Sequence, residues 1–206
     1  MERNIRIGTV GLPPRIDRER YFRELSYLEL TATMSRAALA RWRGVVPVGG
    51  LGLRADLDAP LPARDEIASC VIFHSPELFS PSVDHRERMR RFFGEVATAD
   101  AVGAARVWLP AGLWEPLAAI RFASELGIVC AFDPLVRAPG APLEIYYDLE
   151  IDQLYLRIER AGALRAERLD DLAALVEHYE SLPTTLAFAS TDRWRDARNV
   201  KKLVLA

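Results

Sequence analysis

The chain has 206 residues, of which 50% are apolar and 27% charged, a composition typical of a globular protein with a sizeable core. Its formal net charge of −2 excludes a global field that would attract nucleic acid or an anionic membrane. No run approaches the roughly 20 apolar residues of a membrane span, and no long apolar segment of the signal-peptide type precedes the first strand, so a cytoplasmic protein is predicted.

The first half of the chain alternates between short β-rich runs and amphipathic segments. Asp17 is expected to cap a helix that ends near Leu25, and Ser35 a second helix that ends near Val45. The connection over 58–68 contains two prolines and is too short for a full helix. The strands predicted in this half lie at 5–11, 27–34, 50–57 and 69–75.

The second half repeats the alternation. Ser82 is expected to cap a helix over 82–96, with an apolar face formed by Met89, Phe92, Phe93 and Val96. The connection before strand seven is proline-rich and is predicted to contain a hairpin-like or bulged segment. Further helices are predicted over 115–126, over 164–181 and after strand eight. The strands predicted in this half lie at 105–110, 128–134, 153–159 and 184–190.

Eight strands, six helical or nearly helical connections and no break in composition predict one TIM (β/α)8 barrel domain over 1–206. This α/β barrel would be compact, with helices missing or shortened after strands 3 and 6. An open doubly wound sheet is the alternative. That fold usually carries a glycine-rich phosphate loop after its first strand, and "GTVGLPP" at 8–14 matches such a loop poorly.

In a barrel of this type, chemistry lies where the strands end. The residues at those positions do not form a recognisable catalytic set, so the catalytic residues, if there are any, stay unknown. The residues at the eight predicted strand ends are Leu12, Thr33, Arg54, His74, Leu109, Asp133, Glu159 and Ser190.

Glu29, inside the second strand, leads the strongest group of site candidates. An inward-facing carboxylate in a barrel strand must be paired or hydrogen-bonded, because burying an isolated charge costs free energy. Arg54 on strand three and Arg157 on strand seven are the plausible partners. The three side chains either bind an anionic or hydroxylated ligand or form a buried ion network that fixes the strand register, and both interpretations stay open.

Asp133 ends strand six and precedes Pro134. A carboxylate there can act as a general base or metal ligand, or it can cap the following turn. His74 ends strand four, and metal binding at His74 would need partners such as Asp133 and Glu159, without any ligand spacing that supports it. A hydrogen-bonded, non-catalytic histidine is favoured, and no metal or other cofactor is predicted.

Three other features receive non-catalytic interpretations. Cys70 and Cys130 lie inside apolar runs and are expected to be buried free thiols. Ser75 and Ser190 are not in a nucleophile-elbow motif. The arginine-rich stretch 85–93 is interrupted by glutamate, which is typical of a solvated helix face.

Several segments together resemble the YecE-like family, also called domain of unknown function seventy-two. The resemblance extends from Ile5 to Leu203 and implies a TIM barrel with no established activity. The segments that carry it are, in chain order, "IRIGTVGLP", "YFRELSYLELTATM", "VIFHSPELFSPS", "ELGIVCAFDPL", "YLRIERAG" and "LAFASTDRWRDARNVKKL".

The chain departs from the family pattern mainly in polar positions at the strand ends. Glu29, Asp133 and Arg157 match the pattern, and Arg54 stands for a lysine. His74 stands for a glutamine, and Glu159 stands where histidine is usual. Other polar positions have become apolar or small, at Leu109, Ala111, Ala189 and Ser190. The resemblance therefore implies a stable barrel whose ancestral site has been dismantled or repurposed.

Two functions are considered. The leading hypothesis is a non-catalytic, degenerate barrel with a binding or scaffold role, whose protein partner would cover an apolar surface left by the short connection between strands three and four. The alternative is a residual hydrolase or lyase for a small anionic or hydroxylated substrate. In that enzyme Glu29 or Asp133 would be the base, and Arg54 and Arg157 would clamp the anion. No membrane partner is expected, and nucleic-acid binding is not favoured because the net charge is acidic.

Overall fold

The computed structural model describes residues 4–31, 36–62, 67–137, 141–159 and 162–205. Eight parallel strands form a closed barrel in which the strands follow one another in chain order. The predicted TIM (β/α)8 barrel is confirmed. The strands are β1 Ile5–Val10, β2 Tyr27–Thr31, β3 Leu51–Asp56, β4 Ala68–His74, β5 Ala105–Leu109, β6 Val129–Phe132, β7 Leu154–Ile158 and β8 Thr184–Phe188.

Helices follow most of the strands. A π-helical turn, Phe92–Val96, extends α3, and a short 3₁₀ helix, Leu143–Tyr146, precedes β7. The α-helices are α1 Arg18–Glu24, α2 Arg36–Ala40, α3 Val83–Arg91, α4 Ala99–Val102, α5 Pro116–Glu125, α6 Ala166–His178 and α7 Arg193–Val204.

Two predicted helix caps are confirmed. The side chain of Asp17 accepts the backbone N–H of Arg20 at 2.8 Å and begins α1. The hydroxyl of Ser82 accepts the backbone N–H of His85 at 3.3 Å and begins α3. In both cases a short polar side chain satisfies a donor that the first helical turn leaves free. The predicted cap Ser35 lies outside the described residues, as does Thr33.

Three local predictions are wrong or incomplete. The segment before β7 is a 3₁₀ helix rather than a hairpin, because Leu143 and Tyr146, three residues apart, are both buried on one face. The second helix ends at Ala40 instead of near Val45. Gly44, in the segment that follows the helix, adopts a left-handed conformation that does not continue it. The one-turn helix α4 was not predicted, since it is too short to show a periodic pattern.

The apolar face of α3 also differs from the prediction. Met89 and Phe93 are buried, but Val96 is half-exposed, so its placement on the buried face is wrong. The π-helical turn holds more residues than an α-helical turn and therefore rotates Val96 away from the core.

The predicted shortening after strands 3 and 6 is confirmed for the described residues. No helix lies in the described parts of the connection after β3, and only the 3₁₀ helix follows β6. None of the described helices has the length and apolar character needed to cross a bilayer.

Contacts divide the chain into two compact units, Met1–Glu29 with Phe132–Ala206, and Leu30–Ala131. The prediction of a single domain stays a prediction. In the first unit the strands run in the order β2, β1, β8, β7, with Val10 opposite Glu29 and Arg157 opposite Ala187. In the second unit the order is β3, β4, β5, β6.

Aromatic side chains fill the space between strands and helices in the second unit. Phe73 on β4 packs edge-on against Phe92 and Phe93, with ring centroids 5.2 and 5.5 Å apart. Trp108 on β5 lies edge-on to Trp114 at 4.9 Å. These contacts fix the loops that follow β4 and β5, because both loops lead directly into the packed helices. Cys70 and Cys130 are buried free thiols, as predicted.

Candidate functional site

The Glu29 carboxylate is the most tightly held polar group of the candidate site. Glu29 is 1% exposed and Arg157 is 4% exposed. Arg157 donates from Nε to Oε1 and Oε2 of Glu29 at 3.3 and 3.0 Å, and from Nη2 to Oε1 at 3.2 Å. The Tyr155 hydroxyl donates to Oε2 at 3.3 Å. The structure thus forms one of the two pairs that the sequence predicts.

This ion pair spans the inner face of the first unit. Since β1 and β8 lie between β2 and β7, two long side chains are needed to join Glu29 to Arg157. The concave face of a barrel sheet shortens the gap that they bridge. An ion pair of this kind fixes both strands to one register, which is the structural interpretation considered from the sequence.

Tyr27 and Tyr155 form a second polar layer that the sequence reasoning missed. Their hydroxyl groups lie 2.8 Å apart, and both residues are fully buried. Alternate residues of a strand share a face, so Tyr27 accompanies Glu29 and Tyr155 accompanies Arg157. A tyrosine two positions before each predicted ion-pair residue was therefore the available signal. The interior of this unit is polar where most barrels are lined by branched apolar residues.

Glu159 adds a second carboxylate to Arg157. Nη1 of Arg157 forms a close ion pair with the carboxylate of Glu159, which is half-exposed at the end of β7. Nε and both terminal nitrogens of the guanidinium therefore face carboxylates, and the three side chains together carry one net negative charge. This arrangement does not leave Arg157 free to clamp an anionic ligand.

The carboxylate of Asp133 accepts hydrogen bonds from two backbone N–H groups. Its Oδ1 accepts the backbone N–H of Leu135 at 2.9 Å, and its Oδ2 accepts the backbone N–H of Glu159 at 3.0 Å. The first bond caps the turn that contains Pro134, and the second ties that turn to the end of β7. Of the two interpretations left open by the sequence, this geometry matches the capping one.

Arg54 and His74 lie in the second unit. Arg54 is partly exposed on β3, opposite Ile72 of β4. Nδ1 of His74 lies 3.8 Å from the exposed carboxylate of Asp56, a contact that is an ion pair only when the imidazole is protonated. The pairing of Arg54 with Glu29 stays a prediction. Among the residues that the structure describes, no group of three or more histidine, cysteine and acidic side chains is placed to hold a metal ion.

Asp196 is a buried carboxylate that the sequence reasoning missed. It is 1% exposed in the first turns of α7 and accepts the hydroxyl of Ser190 at 3.3 Å. The backbone N–H of Leu164, in the loop after β7, points at both of its oxygens at 3.3 and 3.4 Å. Many barrels bind phosphate between the loop after β7 and a helix near β8. In this chain the carboxylate of Asp196 accepts the Leu164 N–H of the loop after β7.

Burial raises the pKa of Asp196 above the usual carboxyl range, and the bonds from Leu164 and Ser190 offset only part of that rise. The folded state therefore binds this proton more tightly than the unfolded state. The resulting stabilisation is full below the unfolded pKa of about 4 and is lost as pH rises through the folded value.

An Asp196→Asn variant removes this linkage. The free energy of unfolding of the native protein minus that of the variant is expected to fall as pH rises from about 4 towards neutrality. Urea titrations at several pH values measure it, with Asp170→Asn, an exposed carboxylate of α6, as the control. A difference that stays constant or grows with pH would contradict the burial effect.

Comparison with known proteins supports the family resemblance and establishes the fold. Neither a family model nor a curated protein matches the sequence. A DUF72 family protein from Enterococcus faecalis shares the fold with a TM-score of 0.65 and 13% identity, over 98% of this chain and 96% of that chain. A DUF72 family protein from Thermotoga maritima does so with a TM-score of 0.59 and 12% identity, over 98% and 99%. DUF72 is the domain of unknown function that the sequence motifs resemble.

Proposed function

We propose that this chain is a non-catalytic barrel that works by binding another protein, in a scaffold role. The observation that carries the proposal is that both carboxylates considered as general bases are already engaged. Glu29 is bound by Arg157 and Tyr155, and Asp133 accepts one backbone N–H on each oxygen.

A general base needs a lone pair directed at the proton that it removes. If Glu29 took up a proton, the bonds to Arg157 would weaken and a buried cation would lose its main partner. If Asp133 took up a proton, the backbone N–H bonded to the protonated oxygen would keep only a weaker, uncharged acceptor. Either step would cost stability at the moment of reaction, which argues against both groups as bases.

The substituted positions at the strand ends support the same proposal. Leu109 is buried, and the backbone N–H of Ala111 donates to Ser75 at 3.0 Å. The backbone N–H of Ala189 donates to the carbonyl of Ile158 at 2.8 Å, and Ser190 is bound to Asp196. These residues serve packing and backbone hydrogen bonding, so their side chains offer little that would polarise a substrate.

Thermal melting of the native protein across a panel of hydroxy acids, sugar phosphates and nucleotides tests the proposal. A ligand at a hundred times its Kd stabilises a protein by about 2.7 kcal/mol, which raises Tm by about 5–10 °C for a chain of this size. We expect no member of the panel to do so.

A Glu159→Gln variant gives the matched control at the strand end, because its carboxylate is half-exposed and beside Arg157. A metabolite that raises Tm of the native protein by several degrees, but not that of this variant, would place a small-molecule site there. That result would contradict the proposal and favour the residual-enzyme hypothesis.

A further inference from the structure

Two loops of the second unit expose large apolar side chains at the carboxyl ends of β4 and β5. Leu78 is 91% exposed in the first loop, Val83 is 80% exposed where that loop enters α3, and Leu113 is 83% exposed in the second loop. We call Leu78 and Leu113 the leucine patch. Single exposed apolar residues are ordinary, but grouped ones mark interaction surfaces.

The two loops are joined closely. Gly112 lies so near the first loop that an added Cβ would be 2.4 Å from the carbonyl oxygens of both Glu77 and Phe79. Leu78 lies between those two residues, and Leu113 directly follows Gly112. The hydroxyl of Ser75 also accepts the backbone N–H of Ala111 at 3.0 Å. These contacts place Leu78 and Leu113 on one continuous surface.

The leucine patch is also rigidly presented. The backbone N–H of Phe79 donates to the carbonyl of Pro76 at 2.9 Å and closes the turn that carries Leu78. The buried ring of Phe79 stacks on His85 with centroids 4.3 Å apart. The backbone N–H of Ser80 donates to Nδ1 of His85 at 3.1 Å. A preformed turn loses little conformational entropy when a partner covers it.

The charge around the leucine patch is acidic. Segments 76–84 and 110–115 contain Glu77, Asp84 and Glu115 and no basic residue. Two arginines also contact these loops. Arg86 donates from Nε to the carbonyl of Pro81 at 3.1 Å and lies over the Trp114 ring at 5.3 Å, and Arg88 lies over the Phe79 ring at 5.7 Å but is paired with Asp58. The three carboxylates therefore outnumber the arginine charge at the two loops. Each exposed apolar residue thus lies within two positions of a carboxylate.

We infer that the leucine patch binds a protein segment that carries apolar side chains flanked by lysine or arginine. The apolar side chains would cover Leu78 and Leu113, and the cations would face the acidic residues beside them. An anionic membrane is disfavoured by the same acidic residues. The inference rests on the proposed binding function and names the surface and the chemistry of the partner.

Binding of two amphipathic helical peptides tests the inference. One peptide carries leucine and lysine, and the other has the same leucines with glutamate in place of lysine. Fluorescence anisotropy at low and high salt is expected to give a Kd at least about tenfold lower for the lysine peptide. The preference is expected to shrink at high salt.

A Leu78→Ser/Leu113→Ser variant is expected to bind the lysine peptide at least about tenfold more weakly, with an unchanged circular dichroism spectrum. Val48→Ser is the matched control, because Val48 is an equally exposed apolar residue of the same unit outside the patch. A Glu77→Lys/Asp84→Lys variant is expected to reverse the preference between the peptides.

Four results would overturn the inference: equal or no binding of the two peptides, equal binding by the native and double-serine proteins, binding only to phosphatidylserine vesicles, or self-association that the double-serine variant abolishes. The last two would assign the patch to a membrane or to a second copy of the chain. None of these results contradicts the proposed function, which fails only if a metabolite stabilises the protein in the melting panel.

Discussion

An Arg157→Met variant is expected to lose about 3–5 kcal/mol of its free energy of unfolding. The substitution leaves the Glu29 carboxylate buried without a cation, and Glu29 is only 1% exposed. The three guanidinium bonds to Glu29 disappear together, and only the Tyr155 hydroxyl remains as a described partner in the first unit. Urea titration followed by circular dichroism measures the loss.

The double variant Glu29→Leu/Arg157→Met is expected to recover most of this loss. A buried ion pair can often be replaced by apolar residues at little cost, because the desolvation of both charges is removed with them. Tyr155 keeps the hydroxyl of Tyr27 as a partner. The recovery distinguishes a missing cation from general damage to the barrel.

Glu159→Gln measures how much a half-exposed carboxylate partner of Arg157 contributes to the free energy of unfolding. Its carboxylate is half in solvent, so its loss is expected to cost at most about 1 kcal/mol. If Arg157→Met costs no more than Glu159→Gln, the Glu29–Arg157 pair does not hold the register of the barrel. If the double variant keeps the lysine-peptide affinity of the native protein, the pair is structural and lies outside the binding surface.

The fold was largely predictable because its signals are local. Short, mostly apolar runs set the strands, such as β7 and β8, in which every residue is buried. Short polar side chains set the helix starts at Asp17 and Ser82. The pair of Glu29 with Arg157 was predictable for a different reason, since a charged residue inside a barrel strand needs an opposite charge. In these cases the residues that determine the structure can be identified from the sequence itself.

Other features depend on tertiary contacts that a single sequence does not reveal. Asp196 resembles any acidic residue at a helix start, and the tertiary bonds to it from Leu164 and Ser190 cannot be read from its sequence neighbours. Leu78 and Phe79 are adjacent apolar residues, yet one is almost fully exposed and the other buried. Their difference is decided by the turn geometry and by the stacking of Phe79 on His85.

The π-helical turn after α3 explains why the buried face of this helix was only partly predictable. A periodic pattern assumes one constant helical phase, and Phe92–Val96 departs from that phase within a single helix. The prediction therefore succeeded for Met89 and Phe93 and failed for Val96. Such a change of phase leaves no clear trace in the spacing of apolar residues.

A Gly112→Ala variant is expected to lose about 2–5 kcal/mol of its free energy of unfolding, because two costs add. Gly112 has a φ of +81°, a left-handed conformation that disfavours any residue with a Cβ. The new methyl would also meet two backbone carbonyl oxygens at 2.4 Å, so the loops after β4 and β5 would have to separate. Urea titration measures the loss, and Trp114, two residues away, offers a fluorescence signal near the change.

Gly44→Ala measures the cost of placing a Cβ in a left-handed conformation without the steric contact. Gly44 has a similar φ of +86°, but an added Cβ there would meet nothing within 4 Å. Its substitution is expected to cost only about 1–2 kcal/mol and to leave binding of the lysine peptide unchanged. Gly112→Ala is expected to weaken that binding as well, because separation of the two loops moves Leu78 away from Leu113. If the two variants cost the same and bind the peptide alike, the contact at Gly112 does not hold the leucine patch together, and its rigid presentation would have to come from Phe79 and His85 alone.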